Sequence, residues 1–232
     1  MKKDREKWAK LGVYSFCFIT MESLFYFFID RPMSDSVKAL DDSHHSLIDI
    51  FRGFTDMGKS VWYLWPCGVA ALFCGFLSRA QSMPSLYRKL FGYIGVRAFF
   101  LFATIALSGI VADIIKPLVG RARPLLWLRD NIYGFHPFTL QGSLWNSFPS
   151  GHSTTAFALA ASLSIFYPRL RPLWVACALI LAISRVMVDA HYLSDVCAGA
   201  FLGWLSAALF LKYGMIPVSR VIFPIDRNRA AE

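Results

Sequence analysis

The sequence predicts an all-α integral membrane protein, a single domain over residues 1–232 folded as a bundle of six transmembrane helices. Three observations lead there. Apolar residues make up 56% of the chain and the mean hydropathy is +0.47, above what a soluble domain normally carries. Several apolar runs reach the roughly 20 residues that cross a bilayer as a helix. Basic residues gather at the N-terminus and in alternate connections, as cytoplasmic segments do. The net charge of +9 is read the same way and not as a nucleic-acid surface, because no basic run is interleaved with stacking aromatics. Trp62, Trp65, Trp127, Trp145 and Trp174 fall near span ends, where an interfacial belt would place them.

Lys2, Lys3, Arg5, Lys7 and Lys10 predict a cytoplasmic start. Span one covers about residues 11–29; it is long and lacks a small-residue cleavage site, so it reads as an uncleaved span and not as a signal peptide. Glu22 within it reads as a glutamate facing the bundle, with a substrate contact as the alternative. Asp30 to Lys59 is acid-rich with little basic excess, which fits the outer side. Inside it Leu47, Ile48, Ile50, Phe51 and Phe54 share helical spacing, predicting a short interfacial helix between spans one and two. His44 and His45 read as surface residues and not as a metal site. Span two covers about 61–77, with Pro66 in its first turns, and Arg79, Arg88 and Lys89 mark the return to the cytoplasm.

Span three covers about 93–115, and Pro117 predicts that regular helix stops near Lys116. Asp113, one turn before Lys116, reads as its helix-end ion-pair partner. Leu125 to Phe148 is a long outer segment without periodicity, rich in Gly, Pro and aromatics; unstructured loops of that length are uncommon unless functional. His136 reads as a loop residue at a substrate entrance. Spans four, five and six cover about 151–167, 172–190 and 194–212, joined by a basic turn at Arg169 and Arg171, with a basic tail returning both termini to the cytoplasm. The five cysteines lie in apolar segments without CxxC or metal-ligand spacing and read as packing residues.

Three polar clusters interrupt this apolar chain: Lys116 to Pro124, Pro149 to His152 and Ser184 to Asp195. The loop charges place all three at the outer membrane face. Ionisable groups at membrane depth are unfavourable and mark function by default. Lys116, Arg123 and Arg185 would make a cationic pocket, since arginine forks take phosphate oxygens bidentately and lysine acts as a point charge. Ser150, Gly151 and His152 begin a helix, whose free N–H groups and dipole suit an anion. His191 and Asp195 are four apart, so a carboxylate can fix the imidazole tautomer. The residue types therefore suit phosphoryl transfer, with His191 as nucleophile, Asp195 as its orienter and His152 as general acid. Singly, these residues could be interfacial histidines, snorkelling arginines or an Arg185–Asp189 ion pair.

The clusters resemble the signature of the type 2 phosphatidic acid phosphatase superfamily, the membrane lipid phosphatases. Lys116, Arg123 and Pro124 match its first motif, Pro149 to His152 the second, and Ser184, Arg185, His191 and Asp195 the third, in residue type, spacing and order. The resemblance implies metal-independent hydrolysis without a cofactor, through a phosphohistidine on His191. It also implies that Lys116, Arg123, Ser150, Gly151, His152 and Arg185 hold the phosphate. Arg121 and Asp189 occupy variable positions and are left outside the expected site. The expected setting is a bacterial inner membrane, with the site facing the periplasm. The expected partners are the bilayer and a lipid substrate: lipid A 1-phosphate, phosphatidylglycerophosphate, undecaprenyl diphosphate or phosphatidate. The reading favours lipid A or another cell-envelope lipid. Alternatives are a lipid phosphotransferase using the same phosphohistidine, and a non-catalytic lipid-binding or transport protein of the same fold.

Overall fold

The computed structural model describes residues 2–139 and 142–214, and among them every regular element is helical. Five stretches are long and apolar enough to cross a membrane: Gly12–Ser43, His45–Leu77, Ser85–Val119, Pro168–Met187 and Leu193–Gly214. The helix on the expected fourth span, Gly151–Phe166, has only 16 residues and falls short of that length. The expected basic tail beyond Gly214 lies outside the described residues.

The first helix, α1 (Lys2–Leu24), widens into a π turn at Phe25–Ile29 and continues as α2 (Asp30–Ser43). Pro32 explains the wide turn, because it has no N–H to return to the Phe28 carbonyl. The acid-rich stretch that begins α2, for which the sequence predicts no element before the interfacial segment, is therefore helix. Its polarity is one-sided: Asp30, Ser34 and Val37 are buried at helical spacing. A second helix, α3 (His45–Thr55), covers the expected interfacial segment. Ile48 is buried there, while Leu47, Ile50 and Phe54 face outward.

Helix α4 (Val61–Leu77) matches the expected second span and turns Trp65, Leu72, Phe73 and Phe76 outward. Helix α5 (Ser85–Val119) runs 35 residues and continues through Pro117, correcting the expected stop at Lys116. The helix runs only two residues beyond Pro117, to Val119. The true stop is Gly120, left-handed at φ 59°, whose N–H donates to the Lys116 carbonyl at 2.8 Å. A side chain at Gly120 would collide with the His136 carbonyl. The long outer segment is pinned in this way, with His136 N donating to Gly120 O at 2.7 Å and Ala122 N to Gly134 O at 3.0 Å. It is also not all loop, since Pro124 at the first helical position opens α6 (Pro124–Asp130).

Helices α7 (Gly151–Phe166), α8 (Arg171–Met187) and α9 (Leu193–Leu209) pack with α5 as the centre of the bundle. Their interface is lined by small residues, among them Ala156, Ala160, Ala178, Ala182, Ala198 and Ala207. Small side chains let backbones approach closely where lipid supplies no hydrophobic drive between helices. Gly199 and Gly203 show how closely: a Cβ on either would strike the carbonyl of Ser150 or Thr154. That contact sets α9 against the start of α7, where two of the three polar clusters meet.

Candidate active site

The start of α7 is the anchor. Ser150 is its N-cap, fully buried, with Oγ accepting from Ser153 N at 3.4 Å and from Ser153 Oγ at 3.0 Å. Its own N–H donates to the Asp195 carbonyl at 2.9 Å, tying α7 to the start of α9. The N–H groups of Gly151 and His152 lie in the first turn and lack intrahelical acceptors. The ammonium of Lys116, from the last turn of α5, stands over that turn: a Cβ on Gly151 would lie 3.3 Å from its Nζ. Lys116 Nζ also donates to Asp113 at 2.6 Å, the helix-end pair read from the sequence. His152 is half-buried against Gly58 and within Coulombic reach of Arg185, His191, Lys59 and Lys116. A cavity of about 290 Å³ opens beside it, bordered by Lys116, Gly151 and Lys59.

His191 is buried in the link between α8 and α9. Its N–H and that of Ala190 both donate to the Arg185 carbonyl, at 3.2 and 3.1 Å. Ring Nδ1 lies 2.8 Å from the Ser147 carbonyl. A carbonyl only accepts, so Nδ1 carries the proton and the Nε2 lone pair is free. Burial, assisted by Arg123 and Arg185 and opposed by Asp195, pushes its pKa down to about 4, so the ring is neutral at pH 7.

The direct bond expected from Asp195 to His191 is not made. The closest carboxylate oxygen stands 3.8 Å from Nδ1 because both oxygens are already taken. Oδ2 accepts from Ser147 Oγ at 2.5 Å and from Tyr192 N at 2.9 Å, and Oδ1 accepts from Arg121 Nη1 at 2.5 Å. Asp195 thus orders Ser147, and the carbonyl of Ser147 orders the imidazole. The Arg185–Asp189 ion pair, the alternative to a functional Arg185, is not formed: Asp189 accepts from Ser34 Oγ at 3.0 Å and Arg185 donates to Thr55 Oγ1.

Arg123 and Arg185 lie near enough to the imidazole for their charges to act on it. Both are largely buried, and in each the Nε is shielded from solvent with no hydrogen-bond partner. Burial lowers the Arg123 pKa from its ordinary value, yet a guanidinium stays charged at neutral pH. Buried donors without acceptors beside a helix N-terminus and a lysine have the chemistry to take an anion.

Sequence reasoning missed Arg121 and Asp30. Arg121 is fully buried and divides its guanidinium between Asp195 and Asp30, with Nη2 donating to Asp30 Oδ2 at 2.6 Å. The burial of Asp30, Ser34 and Val37 along one helix face becomes visible only in the fold, and the sequence around Asp30 carries no signal of it.

The PAP2 superfamily model matches residues 97–215. The lipid A 1-phosphatase of Rhizobium johnstonii is 33% identical over 228 residues, spanning 90% of this chain and 88% of that protein. The lipid A 1-phosphatase of Rhizobium etli is 39% identical over 186 residues, spanning 73% and 78%. Two crystal structures share the fold. The PAP2-type phosphatidylglycerolphosphate phosphatase of Bacillus subtilis has a TM-score of 0.58 at 20% identity, over 88% of this chain and 94% of that one. LpxE of Aquifex aeolicus has a TM-score of 0.53 at 22% identity, over 77% and 94%. With the family model matched over residues 97–215 and this similarity along most of its length, the chain belongs to the PAP2 superfamily.

Proposed function

We propose that this lipid phosphatase removes phosphate from a cell-envelope lipid at the outer face of a bacterial inner membrane, through a phosphohistidine on His191. The observation that carries the reading is the convergence of Lys116, Arg123, Arg185 and the start of α7 on a neutral, oriented His191 with His152 beside it. In the first step Nε2 of His191 attacks phosphorus, the bond to the lipid oxygen breaks, and His152 gives that oxygen its proton. In the second, neutral His152 takes a proton from water as the water oxygen attacks phosphorus. The P–N bond breaks, and inorganic phosphate leaves. Lys116, Arg123, Arg185 and the N–H groups of Gly151 and His152 hold the three equatorial oxygens where charge develops, and Ser150 shapes the turn that presents those groups. His152 stands among cations, and the bound phosphate dianion offsets them, allowing the imidazolium to form. No metal ion or cofactor enters either step.

The reading includes α7 as a sixth crossing. At 1.5 Å per residue its 16 residues span about 24 Å, short of a ~30 Å hydrocarbon core, and its neighbours shield it from lipid. Basic ends and turns support cytoplasmic termini and a periplasmic site. The relatives named lipid A 1-phosphatase favour lipid A 1-phosphate as substrate. The test is phosphate release in detergent, with EDTA present, from lipid A 1-phosphate, phosphatidylglycerophosphate, undecaprenyl diphosphate and phosphatidate. Release from at least one, lost in His191→Ala, is the expected outcome. Transfer of the phosphate to an acceptor lipid without release points to a phosphotransferase.

A further inference from the structure

We infer that Asp30 and Arg121, which are not expected to touch phosphate, are positioning residues that hold the nucleophile through Asp195 and Ser147. The inference rests on the proposed role of His191. Asp30, Arg121 and Asp195 are each fully buried, yet they come from α2, the segment after α5, and α9. Arg121 Nη1 donates to Asp195 Oδ1 at 2.5 Å and Nη2 to Asp30 Oδ2 at 2.6 Å. Ser194 closes the loop, with Oγ donating to Asp30 Oδ2 at 2.5 Å and accepting from Arg121 Nη1 at 2.6 Å, and with its N–H donating to Asp30 Oδ1 at 3.1 Å. The guanidinium is further enclosed by the rings of Tyr192 and Tyr26, at 4.6 and 5.2 Å. Every oxygen of both carboxylates is engaged, so the position of Asp195 is fixed from behind by Asp30 and from the front by Ser147.

When Nε2 bonds to phosphorus, the ring becomes positive, and the Ser147 carbonyl must stay on Nδ1–H as that charge develops. Asp30 holds Arg121, Arg121 holds Asp195 and Asp195 holds Ser147, so this acceptor is ordered before the reaction. This assigns a catalytic consequence to a residue more than 80 positions before the first motif residue.

The test is a double-mutant cycle in purified full-length protein with lipid A 1-phosphate in detergent micelles, reading kcat, KM and phosphoenzyme trapped by rapid quench. Asp30→Asn is expected to lower kcat about 10- to 100-fold with KM within about twofold, the range for residues that orient an active group from behind. In an Asp195→Asn background the same change is expected to lower kcat by less than about twofold, because the path is already cut. Ser194→Ala keeps all three charges and is expected to lower kcat by about three- to fivefold with the same loss of additivity, which keeps the cycle informative if Asp30→Asn does not fold. Independent, multiplying effects in either cycle overturn the inference, as does an Asp30→Asn enzyme at wild-type kcat. Wild-type phosphoenzyme that disappears in His191→Ala upholds the parent reading separately. Its absence from wild type would remove both.

Discussion

Gly58→Ala tests the placement of His152, the proposed general acid, without altering any polar group. Gly58 closes the short turn before α4, and its backbone is not in the left-handed region, so alanine is conformationally allowed. A Cβ there would stand 2.7 Å from His152 Cδ2 and 2.9 Å from its Cβ. Carbon atoms in ordinary contact sit about 3.5–4.0 Å apart, so the imidazole and the turn must separate by about 1 Å. A misplacement of about 1 Å can slow a positioned reaction roughly 100-fold, or about 2.7 kcal/mol of barrier. The effect should fall on the step that needs the proton. Phosphoenzyme formation from a lipid phosphate, followed by rapid quench, is expected to slow about 100-fold. Formation from p-nitrophenyl phosphate, whose leaving group needs no proton, is expected to slow less than about tenfold. Gly12→Ala, with nothing within 4 Å of the new methyl, is the control. Equal slowing on both substrates, or a lipid rate within about twofold of wild type, refutes the placement of His152.

Four further outcomes follow from the same geometry. His191 has a depressed pKa, so it stays neutral until the pH falls toward 4; phosphoenzyme trapped at pH 5.5 should persist, although free imidazole is mostly protonated there. Arg123→Lys keeps charge but loses the fork, and kcat/KM for phosphate release should fall at least about tenfold. Asp195→Asn removes one of two carboxylates on a buried guanidinium. Because Asp30 still pairs Arg121, denaturant unfolding should show a loss of about 2 kcal/mol, below the ~3–5 typical of an outright broken buried pair. Incubation with EDTA should leave the initial rate of phosphate release unchanged.

Much of this site was legible in the chain because its chemistry is carried by residue types at fixed short spacings. Lys116 to Pro124, Pro149 to His152 and Ser184 to Asp195 each mark themselves within a dozen residues. The expected spans also fell on helices, because a 20-residue apolar run has few other solutions. What stayed hidden depends on contacts over long separations. Asp30 read as part of an acid-rich outer segment, since nothing nearby reveals that Arg121 waits 91 positions away. The spacing of His191 and Asp195 suggested a direct bond, but the carboxylate is drawn to Arg121, Ser147 and the Tyr192 N–H, and the Ser147 carbonyl takes its place. A backbone acceptor 44 residues upstream carries no side-chain signature. Pro117 likewise suggested an early helix end, but α5 continues two residues past it and stops at Gly120.

The proposed mechanism turns on a covalent bond between phosphorus and His191. The direct measurement is rapid-quench labelling with a lipid carrying radioactive phosphate, followed by mapping of the modified residue. The expected result is an acid-labile, alkali-stable phosphohistidine at His191 that forms and decays fast enough to account for turnover, and that is absent from His191→Ala. Phosphate release from His191→Ala at the wild-type rate, or turnover with the label on another residue, would contradict it.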